Sequence, residues 1–137
     1  MGRSGLTLFI DASALVAIII GEPERDALID RLRDADAALW SPMSCWEAFS
    51  ALCSSYGMAP DDAQIEIDQA AFEIDLTLVP IGGPELAAAL QAYRTYGKRS
   101  GHRARLNMGD CFAYACAKTD GAKLLYKGED FVHTDMA

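Results

Sequence analysis

The run Leu6-Thr7-Leu8-Phe9-Ile10 passes directly into Asp11-Ala12-Ser13 and then into a second apolar run, Ala14 to Ile20. A continuous apolar segment of strand length belongs in a sheet covered on both faces, which favours a parallel arrangement. A carboxylate placed between two buried segments is costly unless something pairs with it. Asp11 therefore either caps the helix that follows or holds a cation, and the residues alone leave both readings open.

The same alternation continues along the chain. Ala37–Trp40, Thr77-Leu78-Val79 and Lys123–Tyr126 read as further strands, the third ended by Pro80. Between them lie helical patterns. Ala14–Ile20 is a short buried helix stopped by Gly21, and Pro23 opens another with Leu28, Leu32 and Ala35 inward. Ser41-Pro42 is a cap followed by proline at the first helical position of a helix running to Tyr56. Its Cys45, Phe49, Leu52 and Tyr56 share one face, with Glu47 nearly opposite beside Ser50 and Ser54. Asp61 and Asp62 open a helix that buries Ile67, Ala70, Ala71 and Ile74, and Pro84 to Arg99 forms one with Leu86, Leu90 and Tyr93 inward. After a loop from Gly101 to Gly109, Asp110 opens a last helix burying Phe112, Ala115 and Cys116. Strands alternating with helices predict an α/β fold on a parallel sheet, and 137 residues suit one domain, 1–137.

Charge separates the two parts of the chain. The net −8 conceals a contrast: residues 1–89 hold four Arg and no Lys against fifteen Asp and Glu, whereas residues 90–137 hold eight Lys and Arg against five acids. Arg94, Lys98, Arg99, Arg103 and Arg105 crowd together with His102, either as a solvated helix end or as a footprint for phosphates. Cys45, Cys53, Cys111 and Cys116 match no zinc spacing and are expected to be small buried thiols in a reducing compartment. Arg3 precedes the first apolar run, but Asp11 interrupts it and no small-residue cleavage site follows, so it is not read as a secretory signal. Residues 15–20 are too short to span a bilayer.

Ligands of open parallel sheets bind beyond the carboxyl ends of the strands. Asp11 follows the first strand, Asp130 lies just past the fourth, Asp110 stands at a helix start and Glu47 on a helix face. Carboxylates converging without a basic partner would repel one another, and a divalent cation resolves that. Each also has an ordinary explanation: a cap for Asp11, a solvated helical Glu47, a dipole-favoured Asp110 and a turn residue at Asp130.

Four blocks, in order, resemble the PIN-domain ribonucleases and, within them, the VapC-like toxins of type II toxin–antitoxin pairs. They are residues 9–17 with Gly21-Glu22-Pro23; Ser44-Cys45-Trp46-Glu47; His102 to Ala115 around Asn107-Met108-Gly109-Asp110; and Leu124 to Phe131 with Thr134-Asp135. The resemblance implies a three-layer α/β/α fold with a central, mainly parallel sheet of four or five strands. It implies that Asp11, Glu47, Asp110 and Asp130 form an acidic site for Mg2+, or Mn2+, with Asp11 and Asp110 as main ligands. Ser13, Asn107, Thr134 and Asp135 match positions that support such a site. Met108 and Cys116 depart from the family's commoner aromatic and Leu, which touches packing rather than chemistry. The implied activity is hydrolysis of RNA phosphodiesters, with Arg94, Lys98, Arg99, Arg103 and Arg105 as RNA contacts. The implied partners are a VapB-like antitoxin and a second copy in a homodimer, in the cytoplasm and away from membranes. The rival readings are a non-catalytic PIN-fold binding module, a DNA-directed nuclease of the same fold, and an aspartyl phosphatase. The last would need a second Asp where Ser13 stands.

Overall fold

A computed structural model describes residues 5–137; Arg3, on which the rejected signal segment drew, lies outside them. The elements follow the order β1 (Thr7–Ile10), α1 (Ala12–Ile20), α2 (Arg25–Asp34), β2 (Ala37–Trp40), α3 (Pro42–Ser54), α4 (Pro60–Ile74), β3 (Leu76–Leu78), α5 (Gly83–Tyr96), α6 (Met108–Thr119) and β4 (Lys123–Leu125). Every strand pairing is parallel and the sheet order is β3-β2-β1-β4.

The period-two geometry of β1 divides the interior into two cores. Leu8 and Ile10 enter one core with Leu15, Leu52 and Ile67 from α1, α3 and α4, while Phe9 enters the other with Ala89, Ala92, Cys116 and Phe131. Helices thus cover both faces, giving three layers. All four cysteines are free, two buried and two half-buried. No helix among the described residues is long and apolar enough to cross a membrane.

The chain builds outward from β1 through β2 to β3, then crosses back to lay β4 on the other side of β1. The crevice between the carboxyl ends of β1 and β4 is therefore the place where connections diverge and a ligand site opens. A hydrogen bond from Asp11 N–H to the Leu125 carbonyl, 2.8 Å, ties the two strand ends together there.

Two expectations need correction. Leu86, Leu90 and Tyr93 of α5 do not point inward; each is about half exposed, at 48, 50 and 45%. Ala89 and Ala92 are buried instead, because small residues let α5 lie close against α6 and push the larger side chains outward. The helix assigned to start at Asp110 begins at Met108, with Asn107 as its cap, so Gly109 and Asp110 lie in its first turn.

Candidate active site

Asp11 sits at the junction of β1 and α1 and performs both tasks that its sequence position left open. It is the N-cap of α1: its Oδ2 accepts from Ser13 N–H at 3.0 Å and from the Ser13 hydroxyl at 2.6 Å. It is also one wall of a cleft of about 380 Å³ that Glu47, Asp110 and Asp130 line as well. Ser13 links the two strand ends, since its Oγ accepts from Lys127 N–H at 3.0 Å.

Asp110 is fixed by a reciprocal cap. Its Oδ2 accepts from Asn107 N–H at 3.1 Å, and Asn107 Oδ1 accepts from Asp110 N–H at 2.8 Å. Such a box satisfies two helix-end donors and leaves the carboxylate in one orientation. Glu47 comes from α3, whose start is set by Ser41 and Ser44 capping each other and by Pro42 in its first turn. Its placement depends on Gly109. A β-carbon on that glycine would lie 1.7 Å from Glu47 Oε2, so only a residue without a side chain lets Glu47 reach this position. Asp130 stands exposed in the segment after β4.

The charges of these groups act on one another. Burial pushes the Asp11 carboxyl above the usual range, opposed by its Ser13 hydrogen bonds and assisted by Asp130. Burial raises Glu47 to about 7, with Asp11 and Asp110 adding repulsion. Asp110 is likewise raised to about 7, chiefly by burial, against the Asn107 hydrogen bond and with Asp130 and Asp11 pushing further. Asp11, Glu47 and Asp110 are thus coupled by repulsion within one cleft, and the Asp130 charge adds to it at Asp11 and Asp110.

Beside them stands a cluster that sequence reasoning passed over. Lys127 Nζ pairs with Glu22 Oε2, and Tyr56 OH donates to Glu22 Oε1 at 2.8 Å. The Lys127 and Tyr56 contacts hold the Glu22 carboxyl below its ordinary value. All three residues line the acidic cleft. A signal was available, since Lys127 follows β4 at the same sheet edge as Asp130. Gly109 carried no such signal, because the sequence pattern placed it at the end of the loop before Asp110.

The remaining candidates fall elsewhere. Thr134 is buried and donates from Oγ1 to the Phe131 carbonyl at 2.8 Å, closing the C-terminal turn. Asp135 accepts from Tyr114 OH at 2.6 Å and pairs with Lys118, which fastens the C-terminal segment to α6; neither residue lines the acidic cleft. Arg94, Lys98, Arg99, Arg103 and Arg105 are exposed. Lys98 and Arg99 border a mainly apolar groove that meets the cleft at Asn107.

Among the described residues, no three His, Cys, Asp or Glu side chains are drawn together closely enough to hold an ion unaided. The donor chemistry nonetheless suits a hard divalent cation. Asp11, Glu47, Asp110 and Asp130 line one cleft together with the Lys127-paired Glu22, and burial with repulsion from neighbouring carboxylates raises Glu47 and Asp110 to about 7. Mg2+ keeps several waters and is bound through one or two carboxylates rather than by a closed protein cage.

The PIN domain family profile matches residues 8–136. A VapC ribonuclease of Rhizobium meliloti is 40% identical over 139 residues, covering 93% of this chain and 98% of the relative. Ribonuclease VapC30 of Mycobacterium tuberculosis is 39% identical over 130 residues, covering 95% and 96%. Among solved structures, the sarcin–ricin loop cleaving toxin VapC20 of Mycobacterium tuberculosis aligns with a TM-score of 0.68 at 15% identity, over 91% of this chain and 92% of that one. That likeness carries the fold.

Proposed function

The chain belongs to the PIN domain family, among the VapC ribonucleases, and on that footing we propose that it is a metal-dependent endoribonuclease toxin restrained by a VapB-like antitoxin. The observation that supports the reading is the convergence of Asp11, Glu47, Asp110 and Asp130 on one cleft at the crevice between β1 and β4, where burial and neighbouring carboxylates raise Asp11, Glu47 and Asp110.

In this proposal Asp11 and Asp110 hold Mg2+, or Mn2+, each anchored by its own helix cap. A divalent cation bound there supplies Lewis acidity at the phosphate and lowers the pKa of water, the chemistry of metal-assisted hydrolysis. Glu47, beside Asp11 and Asp110 in the cleft, would accept a proton from the attacking water. Asp130, exposed at the mouth of the cleft, completes the acidic wall. Ser13 and Asn107 support the ligands by fixing the Asp11 and Asp110 carboxylates. The exposed Arg94, Lys98, Arg99, Arg103 and Arg105 offer RNA phosphate contacts that offset the overall acidity.

The carboxylate cleft also offers a docking point for an arginine of the antitoxin, which would neutralise the site by pairing with it. The working form is a cytoplasmic homodimer of single PIN domains. Purified protein mixed with total RNA in Mg2+ should release discrete fragments, and EDTA should abolish them. Cleavage that persists in EDTA would refute the metal mechanism. Cleavage of DNA in preference to RNA would favour a DNA-directed nuclease, and no cleavage of either would favour a binding module.

A further inference from the structure

Among the described residues that line the acidic cleft, one cation is present, Lys127, and the hydrolytic scheme leaves it without a task. We propose that the Lys127 ammonium is a ligand for a phosphate of the RNA strand, held in position by Glu22 and Tyr56; the inference rests on the nuclease reading.

The backbone of Lys127 is fixed relative to the acids. Its N–H donates to Ser13 Oγ at 3.0 Å, and that hydroxyl donates to Asp11 Oδ2 at 2.6 Å, so two hydrogen bonds separate the Lys127 peptide from the Asp11 carboxylate. The side chain then leads away from the quartet to Glu22, in the turn between α1 and α2, which Tyr56 grips from beyond the end of α3. The cleft thus carries five carboxylates and one ammonium, and the ammonium is paired with the one carboxylate, Glu22, that lies outside the Asp11–Glu47–Asp110–Asp130 group.

A phosphodiester strand entering a carboxylate-lined cleft meets repulsion except where a cation faces it. An ammonium has three donors, and the pair with Glu22 Oε2 uses one. The others remain to bond a non-bridging phosphate oxygen, a charge-assisted contact of the stronger kind. Glu22 lowers the net attraction while restricting where the flexible lysine can reach. Lys127 would thus hold the strand in register while the scissile phosphate lies against the acids.

The test is a fluorescence-anisotropy titration of a labelled single-stranded RNA with the full chain in EDTA, at several salt concentrations. Lys127→Gln should weaken binding on the order of tenfold at low salt. It should also reduce the slope of log affinity against log salt by about 0.7, the loss of one phosphate contact. Lys127→Arg should keep the wild-type slope. Glu22→Gln should bind RNA more tightly than wild type, whereas a purely structural ion pair would make both partners' variants lose affinity and stability alike. In Mg2+, Lys127→Gln should raise KM with a smaller change in kcat. A wild-type slope in Lys127→Gln overturns this inference even where the protein cleaves RNA. Failure of the wild type to cleave RNA in Mg2+ overturns the nuclease reading, and the slope still decides the role of Lys127. No measurable RNA binding by the wild type overturns the inference as well.

Discussion

Gly109 and Glu47 occupy the same space: a β-carbon on the glycine would stand 1.7 Å from Glu47 Oε2 and 2.3 Å from its carboxyl carbon. A residue of α6 thereby determines where a carboxylate of α3 can sit. The atom that must yield to a larger residue is the end of a flexible side chain, so the consequences for stability and for the site separate.

Gly109→Ala should leave the melting temperature unchanged or slightly raised, because alanine is favoured over glycine in a helix by about 0.5–1 kcal/mol and Glu47 can swing away. RNA cleavage should fall on the order of 10- to 100-fold, since Glu47 loses its position. Thermal melts paired with cleavage rates check this, and full activity in Gly109→Ala would show that Glu47 placement is irrelevant.

Metal-free protein should become less stable as pH rises from about 4.5 to about 7. Glu47 and Asp110, raised to about 7 from 4.5 and 3.8, keep protons in the folded state that the unfolded chain has already lost. Folding therefore takes up protons in this window, and each step upward in pH favours unfolding. Glu22 and Asp135 are shifted downward, and their contribution is already complete above the ordinary carboxylate range. With Asp110 buried and Glu47 half-buried, the loss should be on the order of a few kcal/mol. Urea midpoints in EDTA across this range measure it, and a flat or rising profile would contradict the shared acidic environment.

Substitution at Asp11 should separate its two tasks. Asp11→Asn retains a side chain that caps α1 and removes a buried charge, so the fold should be as stable as wild type or more so while cleavage is lost. Asp11→Ala should lose cleavage and also about 1 kcal/mol of stability with the cap. Equal destabilisation by both would mean that the Asp11 charge itself supports the fold.

The strand pattern put only Asp11 and Asp130 at one sheet edge; periodicity left Glu47 and Asp110 as a helix-face acid and a helix-start acid, and it was the family blocks that grouped them with the other two, which line one cleft together. The parallel sheet was legible: Leu6–Ile10 and its successors are strand-length apolar runs divided by amphipathic helices. The orientation of α5 was not. Its Leu86, Leu90 and Tyr93 lie on one face, but so do Ala89 and Ala92 on another, and only the closeness of α6 decides that the alanines go inside. The Lys127–Glu22–Tyr56 cluster joins residues separated by 105 and 34 positions, and local pattern does not report such contacts. Gly109 looked like loop punctuation because its value lies in a side chain from another helix.

Asp135→Asn should behave as a structural change. It weakens the contacts with Lys118 and Tyr114 that hold the C-terminal segment on α6, and should cost about 1 kcal/mol while cleavage per folded molecule stays near wild type. Lost cleavage with unchanged melting would instead tie Asp135 to the acidic site.

The most direct measurement is a calorimetric Mn2+ titration of wild type and Asp110→Asn at pH 6 and pH 8. Cation binding must displace protons from carboxyls held near 7, so wild type should bind more tightly at pH 8 and release protons when it binds at pH 6, and Asp110→Asn should show little or no binding at either. Binding of the same strength in Asp110→Asn, or none in the wild type at pH 8, would contradict the assignment of this cleft as a metal site.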